Sequence, residues 1–188
     1  QRADGEYPFQ LKNGQLVTEE KRINSDIESI QGEVNLFHTF KDDSELSTKA
    51  YYFQSGRGLP GSVILYNNES DERLWDKNFF AQAMYKKVFS PQWTLQAQGK
   101  YNYSWNKYED IGVEYVGGKQ TDTNRQQEYY LSAAVLYRPI QGLSLSLAQD
   151  GIINQLHTNG INSPEPIRYT LLTALNARYQ WERVKLSG

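Results

Sequence analysis

Cysteine is missing from this chain, which excludes a disulfide scaffold and any thiolate metal centre. Histidine is scarce: His38 and His157 are the only two, and neither has a partner at metal-ligand spacing, so each reads as an ordinary surface or lumen residue. No apolar run is long enough for a helical membrane span, and the mean hydropathy is −0.73. Charge of neither sign dominates. The net charge is −2 at pH 7, which gives no basic footprint for nucleic acid. No stretch keeps a convincing 3.6-residue period, so helix is a minor component.

What is plentiful is aromatic and amphipathic: 14 Tyr and 4 Trp among 188 residues. From Trp93 to Trp105 the chain alternates without a break. One face carries Trp93, Leu95, Ala97, Gly99, Tyr101, Tyr103 and Trp105; the other carries Thr94, Gln96, Gln98, Lys100, Asn102 and Ser104. Only a β-strand sorts these sets onto opposite faces. The apolar face is aromatic at both ends and small or aliphatic between. From Trp93 to Tyr103 it spans roughly 33 Å, or about 25 Å vertically at a tilt of ~45°, the height of a lipid-facing band. A transmembrane barrel also tolerates the low hydropathy, because the half of each strand that faces the lumen is polar.

Six further stretches alternate in the same way, around residues 29–40, 46–52, 79–86, 128–137, 143–147 and 169–181. The connections between them alternate in length. Short turns sit at Lys41–Ser44, Ser90–Pro91 and Pro139–Gly142; long loops are expected from Gly56 to Asp76, from Asn106 to Gln126 and from Gly151 to Arg168. In an up-and-down meander this puts all short turns on one rim and all long loops on the other, the pattern of bacterial outer-membrane barrels. The residues before about Ser25 read as the tail of another long loop. The expected fold is all-β, an antiparallel meander of about seven or eight strands from a larger transmembrane barrel. No linker, low-complexity run or charge block marks a second domain, so residues 1–188 read as one segment. The start at Gln1 shows no Met, leader or cleavage site, and Val184 to Leu186 are two apolar steps of a new alternation. The expectation is an excised piece rather than a mature protein.

Chemistry is sparse. Gly56-Arg57-Gly58-Leu59-Pro60-Gly61 lacks the Gly-Lys-Ser/Thr ending of a phosphate loop and reads as a structured turn. Glu69, Asp71, Glu72 and Asp76 crowd the first long loop without a calcium-loop register, and read as a solvated acidic loop. Asn68-Glu69-Ser70 and Asn102-Tyr103-Ser104 match the glycosylation sequon by chance. There is no Ser/His/Asp set, carboxylate pair or metal motif, so neither an enzyme nor a cofactor is expected.

The run Tyr51-Tyr52-Phe53-Gln54-Ser55-Gly56-Arg57-Gly58-Leu59-Pro60-Gly61-Ser62-Val63-Ile64, followed by Arg73-Leu74-Trp75-Asp76-Lys77-Asn78-Phe79-Phe80, resembles the barrel of TonB-dependent outer-membrane receptors, the cobalamin-transporter-like group in particular. Gln126 to Ala133 is similar to a later strand of the same barrels. The resemblance lies in strand and loop texture. It implies a barrel of about 22 strands in the bacterial outer membrane, plugged by an N-terminal domain that couples to a periplasmic energy-coupling protein and imports a scarce, bulky nutrient. This chain has no plug and about a third of the strands. Such a segment transports nothing alone, and its open edges favour self-association. Arg57, Trp75, Tyr108 and Tyr115, cationic or aromatic groups on the long loops, are the candidate ligand contacts. Two rival readings are a non-transporting structural or adhesive barrel and a soluble carbohydrate-binding β-domain. An upstream plug of ~150 residues separates the first rival, and solubility without detergent the second.

Overall fold

The computed structural model describes residues 1–61, 70–112, 114–160, 165–181 and 184–187. Its elements are β1 (Arg2–Ala3), β2 (Pro8–Asn13), β3 (Leu16–Lys21), β4 (Ile27–Thr39), β5 (Glu45–Leu59), β6 (Glu72–Val88), β7 (Trp93–Ile111), β8 (Lys119–Tyr137), β9 (Leu143–Thr158), β10 (Ile167–Trp181) and β11 (Val184–Ser187). Strands β4 to β11 form one antiparallel meander in chain order, with β1 added beside the start of β4. The nine-stranded sheet is open: β11 and β4 are not paired to each other.

Register fixes the faces. Trp93 lies opposite Tyr137, Leu95 opposite Val135, Gly99 opposite Leu131 and Tyr101 opposite Tyr129. The same rows run on through Leu147 and Ile153 of β9 to Leu175 and Tyr169 of β10. In the other direction they pass through Phe79, Ala81, Ala83 and Tyr85 of β6 to Tyr52, Ala50, Thr48 and Leu46 of β5, then to Val34 and Leu36. Trp93, Tyr101, Tyr103, Trp105, Leu171, Leu175, Tyr179 and Trp181 therefore share one face, as period two requires.

On that face aromatic rings form two levels. Tyr85, Trp93, Tyr137, Tyr179 and Trp181 lie near the short turns; Tyr52, Phe79, Tyr101, Tyr103, Tyr129 and Tyr169 lie toward the long connections. Between them sit mainly alanines, glycines and aliphatic side chains, with Thr48, Gln149 and Thr173 as polar members. Neighbouring rings reinforce the ladder, with Trp93 stacked on Tyr137 at 4.1 Å between ring centres and Tyr101 tilted against Tyr129 at 5.0 Å.

No second layer formed by the described residues covers this face. Among the described residues no hydrophobic side chain is buried, and the buried residues are Ser44, Ser55 and Gly58. Leu131, Leu171 and Leu175 remain 68, 78 and 76 % exposed.

All three short turns fall on one rim and all three longer connections on the other, because every neighbour pair is antiparallel and consecutive. The tight turn at Lys41–Ser44 is held by Asp42, which accepts from Ser44 Oγ at 2.6 Å and from Lys87 Nζ at 2.5 Å. Lys87, followed by Ser44, holds the Asp42 carboxyl well below the usual carboxylate range.

Three expectations are corrected. The loop expected from Asn106 to Gln126 is mostly strand: the β7–β8 ladder continues to the pair Ile111 and Lys119, leaving a tip of residues 112–118. Residues such as Thr121 to Asn124 are polar on both faces, so they carry no amphipathic signal although the backbone pairing persists. The loops expected from Gly56 and Gly151 likewise begin only after Leu59 and Thr158. The glycine run at Gly56 is thus β-strand rather than turn. A side chain at Gly56 would press on the Trp75 indole, and one at Gly58 would meet the Asn24 backbone at 2.4 Å. Finally, residues before Ser25 are not a plain loop tail but include the β2–β3 hairpin, reversed at Gly14 with φ +59°.

The segment after that hairpin straps the long-connection rim. Asn24 Nδ2 lies at 3.2 Å from Leu59 O, 2.6 Å from Ser70 O and 2.8 Å from Glu72 O. Arg73 grips Asp26 in two-pronged fashion, at 3.0 and 2.7 Å. The guanidinium holds the Asp26 carboxyl below its ordinary 3.8.

Candidate functional site

Away from the apolar face, the sheet presents polar and charged side chains. Arg57, Leu74 and Tyr108 are cross-strand neighbours on this polar face at the long-connection rim. Arg57 pairs with Asp76 at 3.2 Å. Tyr108 donates to Glu72 Oε2 at 2.9 Å, and Tyr115, at the β7–β8 tip, donates to Asp110 Oδ2 at 2.6 Å. Gly117 and Gly118, with φ +85° and +74°, reverse the chain there.

Both phenols are thereby fixed as neutral donors. The Asp110 carboxylate, followed by burial, pushes the Tyr115 hydroxyl up to about 12. Tyr108 lies above the upper aromatic level, and burial followed by the Glu72 hydrogen bond raises it as well. At neutral pH the rim offers a guanidinium, two tyrosyl groups and the carboxylates of Glu72, Asp76 and Asp110. That set suits hydrogen bonding to a large polar ligand.

Three of the four candidates from the sequence, Arg57, Tyr108 and Tyr115, thus gather at one rim. Arg57 and Tyr108 stand on strands rather than on loops. Trp75 does not join them. It shares the parity of Phe79 and so the opposite, apolar face, where the Lys107 ammonium lies 4.7 Å from its ring centre and the Arg73 guanidinium 5.9 Å. Asp76 and Glu72, expected in a solvated loop, are members of β6. Asn68 and Glu69 of the first sequon lie outside the described residues, and Asn102 of the second stands on the polar face of β7. His157, expected in a loop, is in β9 and pairs with Glu165 at 2.5 Å. Among the described residues no group of three or more His, Asp or Glu side chains converges to hold a metal.

A second polar-face group, deeper in the sheet, was not singled out from the sequence. Tyr51 and Phe80 stack at 5.4 Å, with Lys49 and Lys100 over the Phe80 ring at 5.8 and 5.4 Å and Glu33 bound to Lys49 at 2.8 Å. The signal available was the imperfect alternation at Phe79-Phe80, where an aromatic residue occupies the polar phase.

No protein-family model and no curated protein matches this chain.

Proposed function

We propose that this chain is part of the wall of a bacterial outer-membrane β-barrel of the TonB-dependent receptor kind, serving energy-coupled uptake of a scarce, bulky nutrient such as cobalamin or an iron chelate. The observation that carries this reading is the apolar face: two aromatic levels with mainly small and aliphatic residues between, spread over consecutive strands and left uncovered by the described residues. A soluble β-domain buries such a face against a second layer. In water it is far larger than the few hundred Å² that monomers tolerate, whereas a bilayer is its natural solvent.

The receptor part of the reading is supported by the polar face. Arg57, Tyr108 and Tyr115 at the long-connection rim suit capture of a ligand outside, and the Tyr51–Phe80 stack with Lys49 and Lys100 suits a lumen-wall contact below it. The texture of the run from Tyr51 to Phe80 agrees. Coupling would come from a plug domain and a periplasmic energy-coupling protein. We assign the chain no catalysis and no cofactor.

The test is binding by the protein produced from its full reading frame and purified in detergent. Cyanocobalamin, a ferric hydroxamate, a ferric catecholate and an oligosaccharide are titrated in turn. One of the first three is expected to bind, and Arg57→Ala to weaken it about ten-fold or more, the scale of a hydrogen bond to a charged group. Binding of none of the three would favour a non-transporting structural or adhesive barrel instead.

A further inference from the structure

Beyond the upper aromatic level, charge is sorted by face. On β6, β7 and β8 above the row of Phe79 and Tyr103, the apolar-side phase carries Arg73, Lys77, Lys107, Lys119 and Arg125 against one acid, Glu109. The polar-side phase of the same stretches carries Glu72, Asp76, Asp110 and Asp122 and no cation. Runs such as Arg73-Leu74-Trp75-Asp76-Lys77 produce this by simple alternation.

Within the basic set, Lys77, Trp105 and Arg125 are direct cross-strand neighbours, one row above Phe79, Tyr103 and Gln127. The Lys77 ammonium lies 5.1 Å from the Trp105 ring centre. Lys107 and Lys119 converge on Glu109 at 2.6 and 2.7 Å, and Arg73 is taken by Asp26. Lys77 and Arg125 form no ion pair with any described residue. At the other end of the same face the corresponding cation, Lys87, is already neutralised by Asp42.

We propose that Lys77, Trp105 and Arg125 form a docking row for the anionic phosphate headgroups of the lipid leaflet on the long-connection side. The proposal rests on the barrel reading, because only a bilayer brings headgroups to this height on this face. Its chemistry is charge complementarity at the interface: two uncompensated cations flank an indole where the apolar band ends, and long basic side chains reach headgroups from such positions. The acidic phase opposite faces the other way and does not oppose the contact.

The experiment refolds the 188-residue chain into vesicles and reads tryptophan quenching by lipids brominated on their acyl chains, comparing phosphatidylglycerol with phosphatidylcholine at low salt. The native chain is expected to prefer phosphatidylglycerol, by about five-fold for each contributing cation. K77Q/R125Q should lose that preference, the charge-keeping K77R/R125K should retain it, and K12Q/K41Q, with the same loss of charge elsewhere, should not change it. Circular dichroism confirms that each variant keeps its β-structure. Quenching by both lipids without a preference, or a preference that survives K77Q/R125Q, overturns the docking row and leaves the barrel reading standing. Absence of quenching by either lipid overturns both.

Discussion

Replacing Leu131 by Arg is expected to destabilise the sheet in a phosphatidylcholine bilayer by about 2–4 kcal/mol, the cost of a cation at the lipid-facing midplane. Leu131 stands between Gly99 and Gly151, midway between the two aromatic levels, and is exposed. The matched control is Gln98→Arg, one residue away in phase on the polar face, for which the change should stay within about 0.5 kcal/mol. Reversible urea unfolding from vesicles measures both. In water without lipid the order would change, since Arg at an exposed Leu position is tolerated there. Equal stability of the two variants in vesicles would mean that the face does not meet lipid.

The second large effect concerns a polar pair inside the apolar band. Gln149 lies between Ala133 and Thr173. Thr173 Oγ1 donates to Gln149 Oε1 at 2.5 Å, and Gln149 Nε2 donates to Leu172 O at 3.0 Å. With no water to substitute, each group depends on the other. Thr173→Val leaves the Gln149 carbonyl oxygen without its donor and is expected to cost about 1–3 kcal/mol. Gln149→Leu/Thr173→Val removes both partners and should recover that loss or exceed it, because two apolar side chains then face lipid. A double-mutant cycle in vesicles reads the coupling. Strictly additive effects would show that the hydrogen bond is not sealed from water.

Much of this architecture was legible in the chain. The alternation from Trp93 to Trp105 specified face, strand and direction, because a slip of one residue inverts every side chain, and the alternating connection lengths specified the two rims. What was not legible lies where hydrophobic contrast vanishes. Thr121, Asp122, Thr123 and Asn124 pair as strand without an apolar face, held by the backbone ladder and by polar side chains such as Asn124 on Asn106, so polarity suggested a loop. Gly56 and Gly58 resembled a turn, yet their missing side chains make room for Trp75 and Asn24. The Asn13-Gly14 step was the available mark of the β2–β3 hairpin.

The site was legible in kind and partly in place. Arg57, Tyr108 and Tyr115 gather at one rim because the meander returns β5, β6 and β7 to the same end. Trp75 departs for a reason readable from parity: residues 75, 77 and 79 share a phase, so continuing the Phe79 alternation through the supposed loop turns Trp75 toward the apolar side. The same parity sorts Lys77 and Arg73 from Asp76 and Glu72.

The central claim is that the aromatic levels mark the two edges of a lipid-facing band, and depth-resolved quenching tests it most directly. Single-tryptophan versions of the chain keeping only Trp93, only Trp105, or a tryptophan introduced by Leu131→Trp are refolded into vesicles whose lipids carry bromine at shallow or deep acyl positions. The account predicts that Trp93 and Trp105 are quenched best by shallow bromines and the Leu131→Trp indole by deep ones. Equal quenching of all three at every depth, or no quenching at all, would contradict it.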